Sequence, residues 1–289
     1  MRHLLGLALP MFLFIMSCST KKLEVVISYP APLPDSTPLV FLPGRVSKEG
    51  LDFNAAFSRD GKTFYFCRSI KGKYIIMESV FDGTNWSVPQ SSLLFDTVYS
   101  NADPFFTPDG TIYFISSRPK NSSDTTDDFD IYRMRQEQGH WSGPEYLPEV
   151  NSDSTEYYVS LSASGNMYFA SDRETNLDIF VSEFKNGNFT VPVNLGSVVN
   201  SDAGEHDPFI APDESFLIFN SDRPGGYGEA DLYISRRDGD EWQAPKNMGR
   251  PINTATYEYC SNMSPDGKYF FYSSELEIKW IDANALKKY

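Results

Sequence analysis

The sequence predicts an all-β fold: a β-propeller of five four-stranded blades, with six as the alternative count, closed by an N-terminal strand that completes the last blade. Three observations predict it. Five segments align with one another, FSRDGKTFYFCR, FTPDGTIYFISSR, LSASGNMYFASDR, IAPDESFLIFNSDR and MSPDGKYFFYSS, and their turn positions Asp60, Asp109, Ser164, Asp213 and Asp266 stand 49, 55, 49 and 53 residues apart, a period that belongs to propellers and solenoids. Aromatic residues fill 15% of the 289 positions, with 22 Phe and 17 Tyr, a composition suited to sheets. Finally, the segment LVFLPG before the first repeat reads as a strand with no blade of its own, while the last repeat ends at Tyr289 one strand short.

Taken from the N-terminus, residues 1–17 read as a signal peptide: Arg2 and His3, then an apolar stretch too short to span a bilayer, then Ser17. Ile15-Met16-Ser17-Cys18 resembles the lipobox of bacterial lipoproteins, which implies that Cys18 becomes the lipidated first residue of the mature chain. No Asp follows the Cys, and by resemblance to lipoprotein sorting this implies the outer membrane, facing either periplasm or exterior. Residues 18–36 carry Pro30, Pro32 and Pro34 without a sustained period and read as the lipidated Cys and its tether. Residues 37–289 form the single propeller domain.

Within each repeat four strands follow from alternation and turn chemistry. Strand A precedes the turn, as in EHDPFIA, and Pro108, Pro212 and Pro265 with the Asp after each of them preset the corner into strand B. Strand B is the aromatic run, such as TIYFIS. Strand C is DIYRMR, DIFVSE or ADLYIS, and hairpin tips such as KNGN lead to strand D. Strand D carries Trp86, Trp141, Phe189 or Trp242, each three residues before a Pro, and these large rings are expected to pack between blades. Pro104 and Pro208 fall within strand A, which makes strand A a sheet edge, the one that lines the central channel. In the last unit EIKWIDA supplies strand C, so the segment around Val40 is expected to lie beside it and fasten the circle.

Phe-Ser/Thr-Pro-Asp-Gly before an aromatic strand, then Ser-Asp-Arg and Asp-Ile/Leu-Tyr, resembles the TolB-type β-propeller repeat, and SDRPGGYGEADLYIS at 221–235 is the closest copy. The resemblance covers about residues 40–285. It implies a propeller and an envelope protein that acts through contacts with other molecules; the family has no shared catalytic set. Blade one departs from the pattern at Arg59 and blade three at Ala163 and Ser164.

The formal net charge of −14 excludes nucleic acid and disfavours anionic membrane surfaces, because the field of the chain repels phosphate. Membrane contact is expected through the lipid anchor only, and the propeller is expected to be monomeric. The strand order brings the D-to-A and B-to-C loops to one face, among them 118–130, 150–156 and 223–231, and binding is expected there. Asp52, Asn101, Glu156, Glu205 and Glu258 start strand A at one register. As a ring at the channel mouth, the four acids are candidates for acid–base chemistry; as a feature repeated in almost every blade, they are candidates for loop scaffolding. Asp103, Asp207 and His206 sit one or two residues further in, and His206 and Tyr157 stand out because they are not repeated. Arg118, Arg173 and Arg223 end strand B, while Asp130, Asp178 and Asp231 begin strand C, so an Arg–carboxylate pair is expected to close each B-to-C loop, with ligand capture as the alternative; the three arginines belong with Asp103, His206, Asp207 and Tyr157 to the expected ligand-binding face. Cys67 and Cys260 lie in blades that closure makes neighbours, as free thiols or as a disulfide. No metal set or cofactor motif occurs, and a Ca²⁺ ion in the channel is left open. Two functions remain: a non-catalytic module binding an envelope protein, peptidoglycan or glycan, and a glycosidase or lyase using Asp52, Glu156, Glu205 and Glu258.

Overall fold

In a computed structural model that describes residues 27–47 and 50–289, each repeat folds as an antiparallel four-stranded sheet in the order A-B-C-D. Blade one is Asp52–Phe57, Thr63–Ile70, Lys73–Val80 and Gln90–Ser91; blade two is Asn101–Phe106, Ile112–Ser116, Asp130–Met134 and Glu145–Tyr146. Blade three is Glu156–Leu161, Met167–Ser171, Asp178–Ser182 and Val193–Asn194; blade four is Glu205–Ile210, Phe216–Ser221, Asp231–Asp238 and Lys246–Asn247. Blade five takes Tyr259–Met263, Tyr269–Ser274 and Glu277–Asp282 from the end of the chain and Leu39–Val40 from its beginning. The signal peptide and Cys18 lie outside the described residues.

Closure occurs where the repeat pattern places it. Leu39 pairs with Trp280 and Val40 with Lys279, and the Phe41 N–H donates to the Ile278 carbonyl at 2.8 Å. Phe41 is fully buried, its ring 4.7 Å from Phe64 of blade one and 5.2 Å from Phe271 of blade five. One side chain therefore packs the seam between first and last blades. Elsewhere the blades are joined at the start of strand A: the N–H groups of Glu156, Glu205 and Glu258 donate to Phe129, Leu177 and Ala230 just before strand C of the preceding blade, at 2.8, 2.7 and 3.0 Å. The innermost strands of neighbouring blades pack against one another all the way round the circle.

Two details differ from the sequence reading. The paired part of strand D follows the Pro, as at Glu145–Tyr146 after Pro144, so the Trp and Phe residues sit on an outer hairpin extension instead. They pack between blades from there: Phe189 lies 6.2 Å from Tyr113 of blade two and Trp242 lies 6.4 Å from Tyr168 of blade three. The segment read as a tether also docks from Ile27 onward. Ile27 is buried, Tyr29 stacks 5.7 Å from Trp280, and its hydroxyl donates to Asp266 in an A-to-B turn at 2.7 Å. The chain thus enters on the short-turn face, opposite the long loops.

Those loops are unequal. Blades one and five join strands B and C by tight turns at Lys71-Gly72 and Glu275-Leu276, whereas blades two to four carry the long connections. Gly228 is where one of these loops meets the next blade: a Cβ there would lie 2.2 Å from the Thr256 carbonyl oxygen.

Candidate functional site

The channel is built on a backbone irregularity repeated five times. Two residues into each inner strand, Asn54, Asp103, Tyr158, Asp207 and Cys260 take φ values of 58°, 52°, 46°, 51° and 51°, and the pairing with strand B slips at each of them. A β-bulge re-aims its side chain and disrupts the ladder locally, and Asn and Asp tolerate the left-handed region better than other non-glycine residues. Pro104 and Pro208 follow directly, where the slipped register asks for no donor.

The five bulge side chains meet around the axis. Asn54 Nδ2 donates to Asp103 Oδ1 at 3.1 Å, Tyr158 Oη reaches across to the Ser261 carbonyl at 2.5 Å, and the Cys260 thiol donates to Asp207 Oδ2 at 3.5 Å and to Asp103 Oδ1 at 3.7 Å. Cys67 Sγ accepts from the Asp103 N–H at 3.2 Å. Asp103 and Asp207 are buried, and burial, followed by repulsion from Asp207, pushes the Asp103 carboxyl up to about 7. Burial likewise drives both thiols well above their ordinary range.

His206 stands above this plug. Its Nδ1 lies 3.2 Å from Asp207 Oδ1, and its Nε2 meets the Tyr257 hydroxyl and, at 3.0 Å, Asn220 Nδ2. Burial alone would lower its pKa; the charge of Asp207 and the hydrogen bond to it outweigh that, so the net direction is upward.

An arc of partly buried aromatics surrounds the mouth. At the position just before each bulge stand Phe53, Ala102, Tyr157, His206 and Tyr259. Where blade two has only Ala102, Tyr74 and Phe129 from the starts of strands C fill the space. Ring contacts run Tyr157–Phe129 at 6.3 Å, Phe129–Tyr74 at 6.1 Å, Tyr74–Phe53 at 5.2 Å, Phe53–Tyr259 at 6.0 Å, Tyr259–Tyr257 at 5.5 Å and Tyr257–His206 at 5.8 Å. The arc touches all five blades and is open between Tyr157 and His206.

The strand-A acids occupy a different setting. Asp52, Glu156, Glu205 and Glu258 are fully buried inside loop clasps. Glu205 accepts from Ser201 N–H at 2.7 Å, Ser201 Oγ at 2.6 Å, Ser221 Oγ at 2.7 Å and Arg223 Nη2 at 2.9 Å. Glu156 repeats the set with Ser152, Ser171 and Arg173, and Glu258 with Thr254 and Ser274. Burial raises the Glu156 carboxyl in spite of these donors. Asp52 takes both arms of Arg68, at 2.6 and 2.9 Å.

The expected pairing of Arg118, Arg173 and Arg223 with Asp130, Asp178 and Asp231 is therefore corrected. The guanidinium groups turn to Asn101, Glu156 and Glu205 of strand A, because the A–B register sets those residues opposite Ser116, Ser171 and Ser221, two residues before each Arg. Asp231 accepts instead from Tyr227 N–H and Gly228 N–H of its own loop and from Asn247, and Asp178 from Asn194. Asp178 lines an open hollow of about 390 Å³ with Asn194, Asn200 and Asp202, apart from the channel mouth.

Of the residues singled out from sequence, Asp103, His206, Asp207 and Tyr157 converge on the mouth and plug. Sequence reasoning missed Asn54, Tyr158, Tyr257 and Tyr259. It also missed Asn151, Asn200 and Asn253, each of which clasps the backbone of strand C through both amide atoms, as Asn200 does with Ile179 at 2.9 and 3.0 Å. The recurring Val/Ile-Asn-Ser/Thr before Glu156, Glu205 and Glu258 was the available signal. Cys67 and Cys260 are free and buried. Among the described residues no three His, Cys, Asp or Glu side chains are placed to hold a metal ion, and no helix is long and apolar enough to cross a membrane.

The fold is that of a five-bladed β-propeller with its candidate site on the axis. The chain is similar to a protein assigned as TolB from Agrobacterium tumefaciens, at 18% identity and a TM-score of 0.51 over 82% of this chain and 72% of that one. It is also similar to a gluconolactonase from Xanthomonas campestris, at 11% identity and a TM-score of 0.52 over 89% of this chain and 99% of that one. A xylan β-1,4-xylosidase from Bacillus halodurans gives 16% identity and a TM-score of 0.50 over 83% of this chain, which spans 53% of that protein. No protein-family model matches, and neither does any curated protein. At these identities the likeness is one of fold.

Proposed function

We propose that this protein is a non-catalytic binding module of the bacterial cell envelope, which receives an envelope protein, peptidoglycan or a glycan at the loop-rich mouth of its channel. The observation that carries this reading is the partly buried aromatic arc set over Asp103, His206 and Asp207, residues the repeat does not impose. Repeated features of this fold serve the blades themselves, as the Arg–Glu clasps do, whereas a non-repeated cluster on the axis answers to something else. Entry of the chain on the turn face supports it, since that leaves the loop-rich mouth uncovered by the segment from Ile27 onward.

The test is site-specific photo-crosslinking in cells with the full lipidated chain. A photoreactive residue replacing Tyr157 on the rim is expected to capture a discrete envelope species, and one replacing the exposed Val88 on the outer wall is not. Equal, empty lanes from both positions refute the reading.

A second reading, a carbohydrate-active enzyme, is favoured by one feature: two buried axial carboxylates, one of them raised to about 7. Glycoside hydrolysis needs two acids whose environments separate their pKa values. Since Asp52, Glu156, Glu205 and Glu258 are engaged by their loops, this chemistry falls to Asp103 and Asp207. Oligosaccharide turnover that disappears in Asp207→Asn supports it, and a library left unhydrolysed by the wild type removes it.

A further inference from the structure

Resting on the binding reading above, we infer that the mouth takes a primary ammonium group, presented on a lysine side chain of a basic partner protein. The plug's hydrogen-bonding groups are mostly acceptors: Asp207, which takes the Cys260 N–H at 3.0 Å and faces His206 Nδ1, Asp103, which takes Asn54 Nδ2, and Asn54 Oδ1, which has no partner although Asn54 is 1% exposed. Its donors are already committed, since Asn54 Nδ2 is bound to Asp103, the Cys260 thiol to both carboxylates, and His206 Nδ1 faces Asp207. A buried acceptor left unmatched costs free energy that a donor restores.

Sugar hydroxyls bring acceptors as well as donors. An ammonium brings three donors and no acceptor.

The rim is the second, independent feature. The faces of Tyr74, Phe129, Tyr157, Tyr257 and Tyr259 carry negative quadrupole density, and several rings around one opening form the kind of cage that holds an alkylammonium. The Lys stem is apolar, which suits the ring edges above, while its head is charged, which suits the acids beneath. The arc touches all five blades, more than one alkylamine covers, and the net charge of −14 draws a basic surface toward it. Both point to a protein as the carrier.

The experiment uses the full lipidated chain in detergent micelles and two probes, Nα-acetyl-lysine methylamide and its neutral Nε-acetyl derivative, with binding followed by calorimetry. The charged probe is expected to bind at least about tenfold more tightly, a difference of about 1.4 kcal/mol. Asp207→Asn and Asp103→Asn should each remove most of that preference. Phe129→Leu, which keeps the apolar volume and loses only the π face, should weaken the charged probe by several-fold and leave the melting temperature in place, so the inference is testable even where an acid variant fails to fold. Equal binding of the two probes, or none by either, overturns it.

The crosslinking arm separates this inference from the reading beneath it. Capture at Tyr157 that excess charged probe abolishes supports both and identifies the amine as the partner's. Capture that neither probe displaces overturns the inference while the binding reading stands. Probe discrimination with an empty Tyr157 lane refutes the envelope-partner reading and assigns the site to a free alkylamine.

Discussion

Asp103 gives the most direct physical test of the channel, because its carboxyl is 7% exposed and held at about 7 by burial and by Asp207. In the unfolded chain the same group ionises near the ordinary Asp value of about 4. The native state therefore binds the proton more tightly, and wherever that holds stability falls as pH rises. Taking about 1.4 kcal/mol for each tenfold difference in proton affinity, the folded protein loses about 3 kcal/mol between pH 5 and pH 8 on account of this group. Asp103→Asn removes the titration, keeps an acceptor for Asn54 Nδ2 and the Cys260 thiol, and offers an amide toward Asp207. Equilibrium urea unfolding of wild type and variant at both pH values measures it: the variant gains about 3 kcal/mol on the wild type as pH rises, a melting shift of roughly 6–12 °C for a domain of this size. His206 and Asp130, also raised in the folded state, have the same sign and remain in the variant as a residual slope. A wild-type stability that is flat from pH 5 to 8, or an Asp103→Asn variant that tracks it in parallel, refutes the assignment of a buried axial acid.

Three further outcomes follow from the same geometry. Phe41→Ala empties the seam between blades one and five and should cost about 3–5 kcal/mol, measured by calorimetric unfolding; a loss comparable to that of an exposed apolar residue such as Val191 would mean that the seam does not hold the ring. Glu214 sits at φ 58° where the other repeats have Gly, yet accepts from Ser164, Asn166, Tyr168 and Arg237 at 3.0, 2.8, 3.1 and 2.6 Å. Glu214→Gly should therefore destabilise the protein despite relieving a left-handed residue, and Glu214→Ala should be worse by about 1 kcal/mol because it keeps the strain; a Gly variant more stable than wild type would show that the strain outweighs the bonds. Cys67 and Cys260, buried with thiols pushed up, should resist an aromatic disulfide reagent at pH 8 and react fully in denaturant, and rapid labelling of the native protein would contradict their placement.

How much of this the sequence disclosed follows from what each feature depends on. The blades and their closure rest on local chemistry that recurs in five units, corners of the Pro-Asp-Gly kind and alternating aromatics, and repetition exposes them without any coordinates. The Arg clasp was half legible: Arg and acid were both visible, but their pairing depends on strand register, which sets Glu205 opposite Ser221 and brings Arg223 to it before Asp231 can compete. The axial plug was hidden for the opposite reason. Its five positions share a backbone conformation and not a residue type, since Asn54, Asp103, Tyr158, Asp207 and Cys260 have in common only that they follow Asp52, Asn101, Glu156, Glu205 and Glu258 by two. That position is where the propeller frees its side chains from the shared pattern, because a bulge pointed at the axis owes nothing to the neighbouring blade's core. Residues that differ from blade to blade at one structural position are thus where individual function can be written into a repeated fold, and the cluster of Asp103, Asp207 and His206 at a nearly closed arc of rings is, among the described residues, where that freedom gathers charge on the axis.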